Sequence, residues 1–186
     1  MRITSGKFKN FTLASPKGDA VRPTTEQTRS ALFNRLSDFI IDKTFLDLFA
    51  GSGAVGLEAL SWGAKSATFI EKDRLALIAL KANIEKLKVK DQVQIFSADT
   101  LKILPKLIQQ GLQFDFIFLD PPYDDAKTYE TVLNLIDTTD ILKPEGFLFV
   151  EERHLKKEKQ DPPFKTLVLK DKRTYGSTLI KQYARS

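Results

Sequence analysis

The 186-residue chain has no cysteine and only one histidine, His154. Disulfides and thiolate metal sites are thereby excluded, and a zinc site built on imidazoles would lack ligands, so no metal is expected. Long apolar runs are missing too. Nothing approaches the roughly 20 consecutive apolar residues of a membrane-spanning helix, and the amino end has no apolar block of the signal-peptide kind. A cytoplasmic protein without a membrane partner is the expectation. Internal repeats, low-complexity tracts and a flexible linker are equally lacking. The length then reads as one domain, 1–186, and a monomer is expected.

What is present is an ordinary globular composition, 42% hydrophobic and 28% charged, with an uneven spread of charge. The net charge is +5, yet residues 1–43 hold 8 Lys/Arg against 4 Asp/Glu and residues 153–186 hold 10 against 3, which leaves residues 44–152 at −6. Basic ends flanking an acidic centre suggest that the ends meet a polyanion while the centre serves another ligand.

The stretch Phe45 to Gly56, FLDLFAGSGAVG, organises the rest. A buried strand runs into a glycine turn and then into an amphipathic helix, which places a ligand-binding bend at a strand's carboxyl end. Gly51 and Gly53 permit the turn and close approach of a ligand, and Gly56 lets the helix pack on the sheet. Lys65–Glu71 reads as the next strand, ending on an acid placed to hold two ribose hydroxyls, with Lys72 beside it. A helix from Asp73 to about Lys88, a strand Val93–Phe96 and the Ala98-Asp99 corner follow. Asp99 has two readings, helix cap or contact with the base of a bound nucleotide. The dense strand Phe114–Leu119 then runs into Asp120-Pro121-Pro122-Tyr123, where two prolines stiffen the backbone and present an acid, carbonyls and an aromatic ring.

At the amino end, residues 1–13 read as a short hairpin with Arg2, Lys7 and Lys9 among aromatics. These cations suit a nucleic-acid backbone, or simply keep an edge hairpin soluble. Thr24 with Gln27 forms a capping box for a helix to about Ile40, with Ala31, Leu32, Leu36, Phe39 and Ile40 near its buried side. Arg22 and Arg29 lie near that helix start. At the other end, a helix from Tyr129 to about Asp137, a Lys143–Gly146 turn and a strand Phe147–Glu152 are expected. A charged loop over 156–163 and an antiparallel pair, Phe164–Leu169 with Thr178–Tyr183, joined through Lys170–Gly176, complete the chain.

Alternating strands and helices over 44–152 imply an α/β fold with a doubly wound, mostly parallel sheet whose ligands bind beyond the strands' carboxyl ends. GSGAVG also satisfies the dinucleotide fingerprint, so an NAD-dependent oxidoreductase stays open from that motif alone. Asp47, ahead of the glycines, suits a ligand with a positive charge and tends to repel a pyrophosphate.

With Asp120-Pro121-Pro122-Tyr123, the chain resembles the class I S-adenosylmethionine-dependent methyltransferases. MRITSGKFK, VRPTTEQTRSALFNRL, LDLFAGSGAVGLEALSWGA, LDPPY and RTYGSTLI lie in the order found in the bacterial 16S rRNA (guanine(966)-N2)-methyltransferase family, over about the whole length. One departure is Asn10, where that pattern would have glycine. The resemblance implies a seven-stranded Rossmann-like sheet with an antiparallel carboxyl-terminal pair, carried by residues 44–186, and a hairpin-plus-helix extension over 1–43. It implies S-adenosyl-L-methionine held by Asp47, Phe49, Gly51, Ser52, Gly53, Glu71, Lys72, Ala98, Asp99 and Asp120. Catalysis falls to Asp120, Pro121, Pro122 and Tyr123. RNA contacts are expected from Arg2, Lys7, Lys9, Arg22, Thr24, Arg29, Lys172 and Arg173, and the partner is 16S rRNA in the small ribosomal subunit or its assembly intermediate. A DNA adenine-N6 methyltransferase and a non-catalytic RNA-binding protein are the other readings; the first would need a target-recognition domain that so short a chain lacks.

Overall fold

The computed structural model describes residues 1–16, 24–122, 125–154 and 161–186. Arg22, Tyr123 and most of the expected 156–163 loop lie outside them. Two compact units are present, Met1–Thr100 and Leu101–Ser186.

The first unit holds α1 (Glu26–Leu36), a 3-10 turn over Ser37–Ile40, β1 (Thr44–Asp47), α2 (Ala54–Ser61), β2 (Ser66–Glu71), α3 (Arg74–Leu87) and β3 (Val93–Ser97). Its strands are parallel, with Asp47 level with Phe69 and Glu71 level with Ser97. The apolar strands and helices alternate as a parallel sheet requires, because each crossover needs a helix to cover a face.

α2 is buried at all eight residues. A helix covered all round has no solvated face, and AVGLEALS reflects this except at Glu58 and Ser61. Both polar groups serve the amino-terminal segment. Glu58 accepts from the Thr4 and Ser5 backbone N–H groups and the Thr4 hydroxyl at 2.7–3.0 Å. Ser61 accepts from the Phe8 N–H at 2.9 Å and donates to the Ser5 carbonyl at 2.5 Å. The expected short hairpin is present, with one antiparallel bridge of Arg2 with Thr12 and backbone bonds from the Ile3 N–H to Phe11 and the Leu13 N–H to Met1, and α2 docks it. Asn10 sits at φ 68°, a left-handed conformation that asparagine tolerates better than most residues.

The helix start is corrected by one residue. Thr25 is the N-cap, its hydroxyl accepting from the Thr28 N–H at 3.1 Å, while Thr24 is buried one residue upstream. Phe39 is also corrected: it is 72% exposed, because α1 stops at Leu36 and the tighter 3-10 turn rotates it away from the core.

The second unit holds α4 from Leu101 onward (Thr100–Gln109), β4 (Phe114–Leu119), α5 (Ala126–Thr138), β5 (Leu142–Arg153), β6 (Leu167–Tyr175) and β7 (Thr178–Arg185). β5 lies parallel to β4 and antiparallel to β7, and β6 pairs antiparallel with β7. The Lys143–Gly146 turn is absorbed into β5 as a register shift between Phe114 and Phe116 on the partner strand. Lys170–Tyr175, expected as a connection, is strand instead: β7 supplies its ladder partners and only Gly176 and Ser177 turn the corner. The strands run in the order β3-β2-β1 in the first unit and β4-β5-β7-β6 in the second.

Two polar clusters hold this unit. Asp137 accepts from the Lys165, Thr166 and Leu167 N–H groups at 2.8–2.9 Å, which fixes the start of β6. Lys181, 2% exposed, lies between Asp161 at 2.6 Å and Glu152 at 3.0 Å. Burial alone would lower its pKa, but the two carboxylates outweigh it and hold the ammonium above its usual range.

Candidate active site

The carboxyl ends of β1, β2 and β3 carry the expected cofactor residues. Beyond Asp47 the chain turns through Phe49, Gly51, Ser52 and Gly53. Gly53 caps α2 at φ 80°, a left-handed conformation that a side chain disfavours, and a Cβ there would meet Leu80 Cδ1 at 2.3 Å. At Gly56 a Cβ would lie 2.3 Å from the Phe69 ring, so the missing side chain is what lets α2 lie on β2.

Glu71 binds this turn directly. Its carboxylate accepts from the Gly51 N–H at 2.7 Å, and its other oxygen accepts from the Lys72 and Asp73 N–H groups at 2.8 and 2.7 Å. The acid is therefore oriented by three backbone donors before any ligand arrives. Lys72 Nζ lies 2.9 Å from Asp99 Oδ2, which links the end of β2 to the corner after β3, beside Ala98. Thr100 donates to the Leu48 carbonyl at 2.5 Å and ties that corner back to β1.

Asp47 is 1% exposed and accepts from the Gly56 N–H at 3.2 Å. Burial raises its pKa from 3.8 to about 7, with the Gly56 and Phe49 N–H groups pulling down and Glu71 pushing up. It does two things at once: it anchors the glycine turn and occupies a donor at the α2 amino terminus. A dinucleotide pyrophosphate needs such donors. An acid that already occupies one opposes that ligand.

Does the donor set fit S-adenosylmethionine? A Cβ built at Gly51 meets nothing within 4 Å, so the turn opens onto free space beside an oriented carboxylate. Glu71 lies at that edge, with the Lys72–Asp99 pair at the ends of the next strands and Asp47 buried behind the turn. The residues present fit a cationic nucleoside ligand.

In the second unit, Asp120 follows the last residue of β4, with Pro121 buried and Pro122 exposed. The Pro122 carbonyl accepts from the Asp125 N–H at 3.0 Å, and Asp125 caps α5, so the proline pair is braced against the next helix. Lys172 and Arg173 lie exposed on β6, the last strand of the sheet, and Arg173 pairs with Asp171 at 3.1 Å.

Of the expected RNA contacts, Lys7 and Lys9 are exposed, and Arg2 is exposed with its guanidinium near Glu26. Lys7 lies 5.3 Å above the Phe8 ring. Arg29 and Thr24 are corrections. Arg29 is 0% exposed, donating to the Thr24 carbonyl at 2.6 Å and the Arg2 carbonyl at 2.7 Å, with Glu58 at 3.5 Å. Its guanidinium is committed to the protein, because an amphipathic helix that docks on a buried acid must bring a cation with it. Thr24 is buried beneath that contact.

Sequence reasoning missed Glu58 and Asn83. Asn83 on α3 is fully buried and bonds both Ser52 and Ala14. The available signal was a lone polar residue on an otherwise apolar helix face.

Comparison with known proteins agrees with this geometry. The chain is 34% identical to the YlbH protein of Bacillus subtilis over 183 residues, 98% of each chain. It is 35% identical to the Ribosomal RNA small subunit methyltransferase D of Haemophilus influenzae over 178 residues, covering 94% of this chain and 89% of that one. Among solved structures, the yhhF protein of Escherichia coli superposes with a TM-score of 0.84 at 33% identity, over all of this chain and 98% of the other. The fold is that of the class I methyltransferases. A family model described as conserved hypothetical protein 95 matches residues 1–184, and the chain belongs to that family.

Proposed function

We propose that this chain is an S-adenosylmethionine-dependent methyltransferase that modifies the exocyclic N2 amine of a guanine in small-subunit ribosomal RNA, of the position-966 type. The observation that carries the reading is the oriented Glu71 carboxylate bonded to the Gly51 N–H beside an open turn, in a chain whose relative is named for small-subunit rRNA methylation. The exact nucleotide rests on the family resemblance alone.

Each residue has a definite task. Glu71 accepts from the ribose hydroxyls, and the Lys72–Asp99 pair borders the adenine. The cofactor supplies an electrophilic methyl group. A guanine amine is a poor nucleophile while its lone pair is delocalised into the ring. Asp120 and the Pro121 carbonyl accept its two N–H bonds and so turn the lone pair outward, and Tyr123 stacks on the base. Positioning and electrostatics then supply most of the rate enhancement. The base leaves its stack to be reached, at a cost of roughly a few kcal/mol, least for an unpaired loop nucleotide. The amine's proton passes to Asp120 or water. Arg2, Lys7, Lys9, Lys172 and Arg173 contact RNA phosphates.

The test is to incubate the protein with methyl-labelled S-adenosylmethionine and unmodified small-subunit particles and to map the label. Label on a guanine N2 is expected, lost in Asp120→Ala under S-adenosylmethionine concentrations that calorimetry shows to saturate the variant. Binding of NAD in place of S-adenosylmethionine, or label on another atom, overturns the reading.

A further inference from the structure

We infer that Asn83 is a positioning residue that couples the amino-terminal segment to the cofactor turn, so that occupancy of one is felt by the other. This rests on the cofactor reading above.

Asn83 is 0% exposed in the middle of α3. Its Oδ1 accepts from the Ala14 N–H at 2.7 Å, and its Nδ2 donates to the Ala14 carbonyl at 3.0 Å and the Ser52 carbonyl at 2.9 Å. The three partners fix the amide's orientation, because Ala14 N–H accepts nothing and the two carbonyls donate nothing. Towards Ala14 the side chain acts as a strand's peptide group would, giving one donor and one acceptor to the same residue. It thereby continues the contact begun by the Arg2–Thr12 bridge.

Towards the turn it controls one peptide plane. The carbonyl of the Ser52–Gly53 peptide is held by Asn83, and the N–H of that same peptide donates to the Ala50 carbonyl at 2.7 Å. A peptide next to a left-handed glycine flips easily when one end is free. Pinned at both ends, it cannot flip, and the Gly51 side of the turn keeps the face it presents beside Glu71. The third amide contact therefore joins this plane to residue 14.

The joint tolerates little chemical change. Aspartate keeps the acceptor for Ala14 N–H but points a second oxygen at two carbonyls. Leucine of similar volume leaves the buried Ser52 carbonyl without this partner and frees both Ala14 backbone groups to solvent.

Hydrogen exchange on the wild-type chain, with and without S-adenosylmethionine, tests the coupling. Exchange of the Ala14 amide is expected to slow roughly threefold or more on saturation, together with residues 51–56, since a ligand that orders the turn also holds its partner. In Asn83→Asp, the Kd for S-adenosylmethionine should rise about tenfold, as expected for one lost buried contact, and Ala14 should no longer respond. A merely structural asparagine would lower the melting temperature without uncoupling Ala14 from the ligand. Protection of residues 51–56 with no change at Ala14 in the wild-type chain overturns the inference while leaving the cofactor reading intact. No binding of S-adenosylmethionine overturns both. The wild-type measurement decides even if the variant does not fold.

Discussion

Replacing Glu58 by Gln changes one atom of a side chain that holds four partners. In the native chain its carboxylate faces the Arg29 Nε at 3.5 Å and the Thr4 N–H, Thr4 hydroxyl and Ser5 N–H at 2.7–3.0 Å, with both members of the ion pair 0% exposed at the side chain. The amide keeps one acceptor, turns the other into a donor aimed at donors, and removes the Glu58 charge from beside the buried guanidinium. Removing one partner of a buried pair costs about 3–5 kcal/mol, which for a chain of this size corresponds to a fall of roughly 6–20 °C in melting temperature. Arg29→Met should be milder, because the remaining carboxylate still has three protein donors. Urea titration of both variants gives the free energies, and exchange of the Thr4 and Ser5 amides reports whether the amino-terminal segment has lifted off. A Glu58→Gln protein within about 1 kcal/mol of wild type, with those amides still protected, would falsify the reasoning.

Three further outcomes follow from the same geometry. Gly56→Ala places a methyl 2.3 Å from the Phe69 ring and should cost about 1–3 kcal/mol by overpacking, whereas Gly51→Ala, which meets nothing within 4 Å but must hold a left-handed φ of 56°, should cost about 1 kcal/mol of backbone strain alone and weaken S-adenosylmethionine in calorimetry. The Asp47 carboxyl, raised by burial from 3.8 to about 7, favours folding most in its protonated form, so its contribution is full below about pH 4 and declines as pH rises to about 7. Asp47→Asn should therefore gain on wild type in urea stability across that window, and parallel pH profiles would contradict the assignment. Lys7→Ala with Lys9→Ala should lower affinity for ribosomal RNA in filter binding and flatten its salt dependence by about one unit of slope per lost phosphate contact; an unchanged slope would remove both lysines from the interface.

Much of this protein was legible in the order of its residues. The short apolar runs in Lys65–Glu71 and Phe114–Leu119 and the helical spacing between them marked out the alternation, because burial on both faces of a parallel sheet demands continuous apolar strands. FLDLFAGSGAVG and LDPPY located the chemistry because glycine and proline restrict the backbone locally, whatever surrounds them. Tertiary packing alone decided what the polar residues did. Arg29 and Lys7 look alike as cations in a basic end, yet one is sealed against Glu58 and the other lies in water. Thr25 is the cap because its carbonyl opens the helix ladder by accepting from the Arg29 N–H, while Thr24 lends its carbonyl to that sealed guanidinium. Lys172 and Arg173 became strand rather than loop once β7 offered them a ladder. Asn83 acquired its partners only when residues 14 and 52, far apart in the chain, were brought to either side of one amide. Local sequence sets which backbone shapes are open to a segment; the partner that satisfies a buried polar group is set by whatever the fold carries to it.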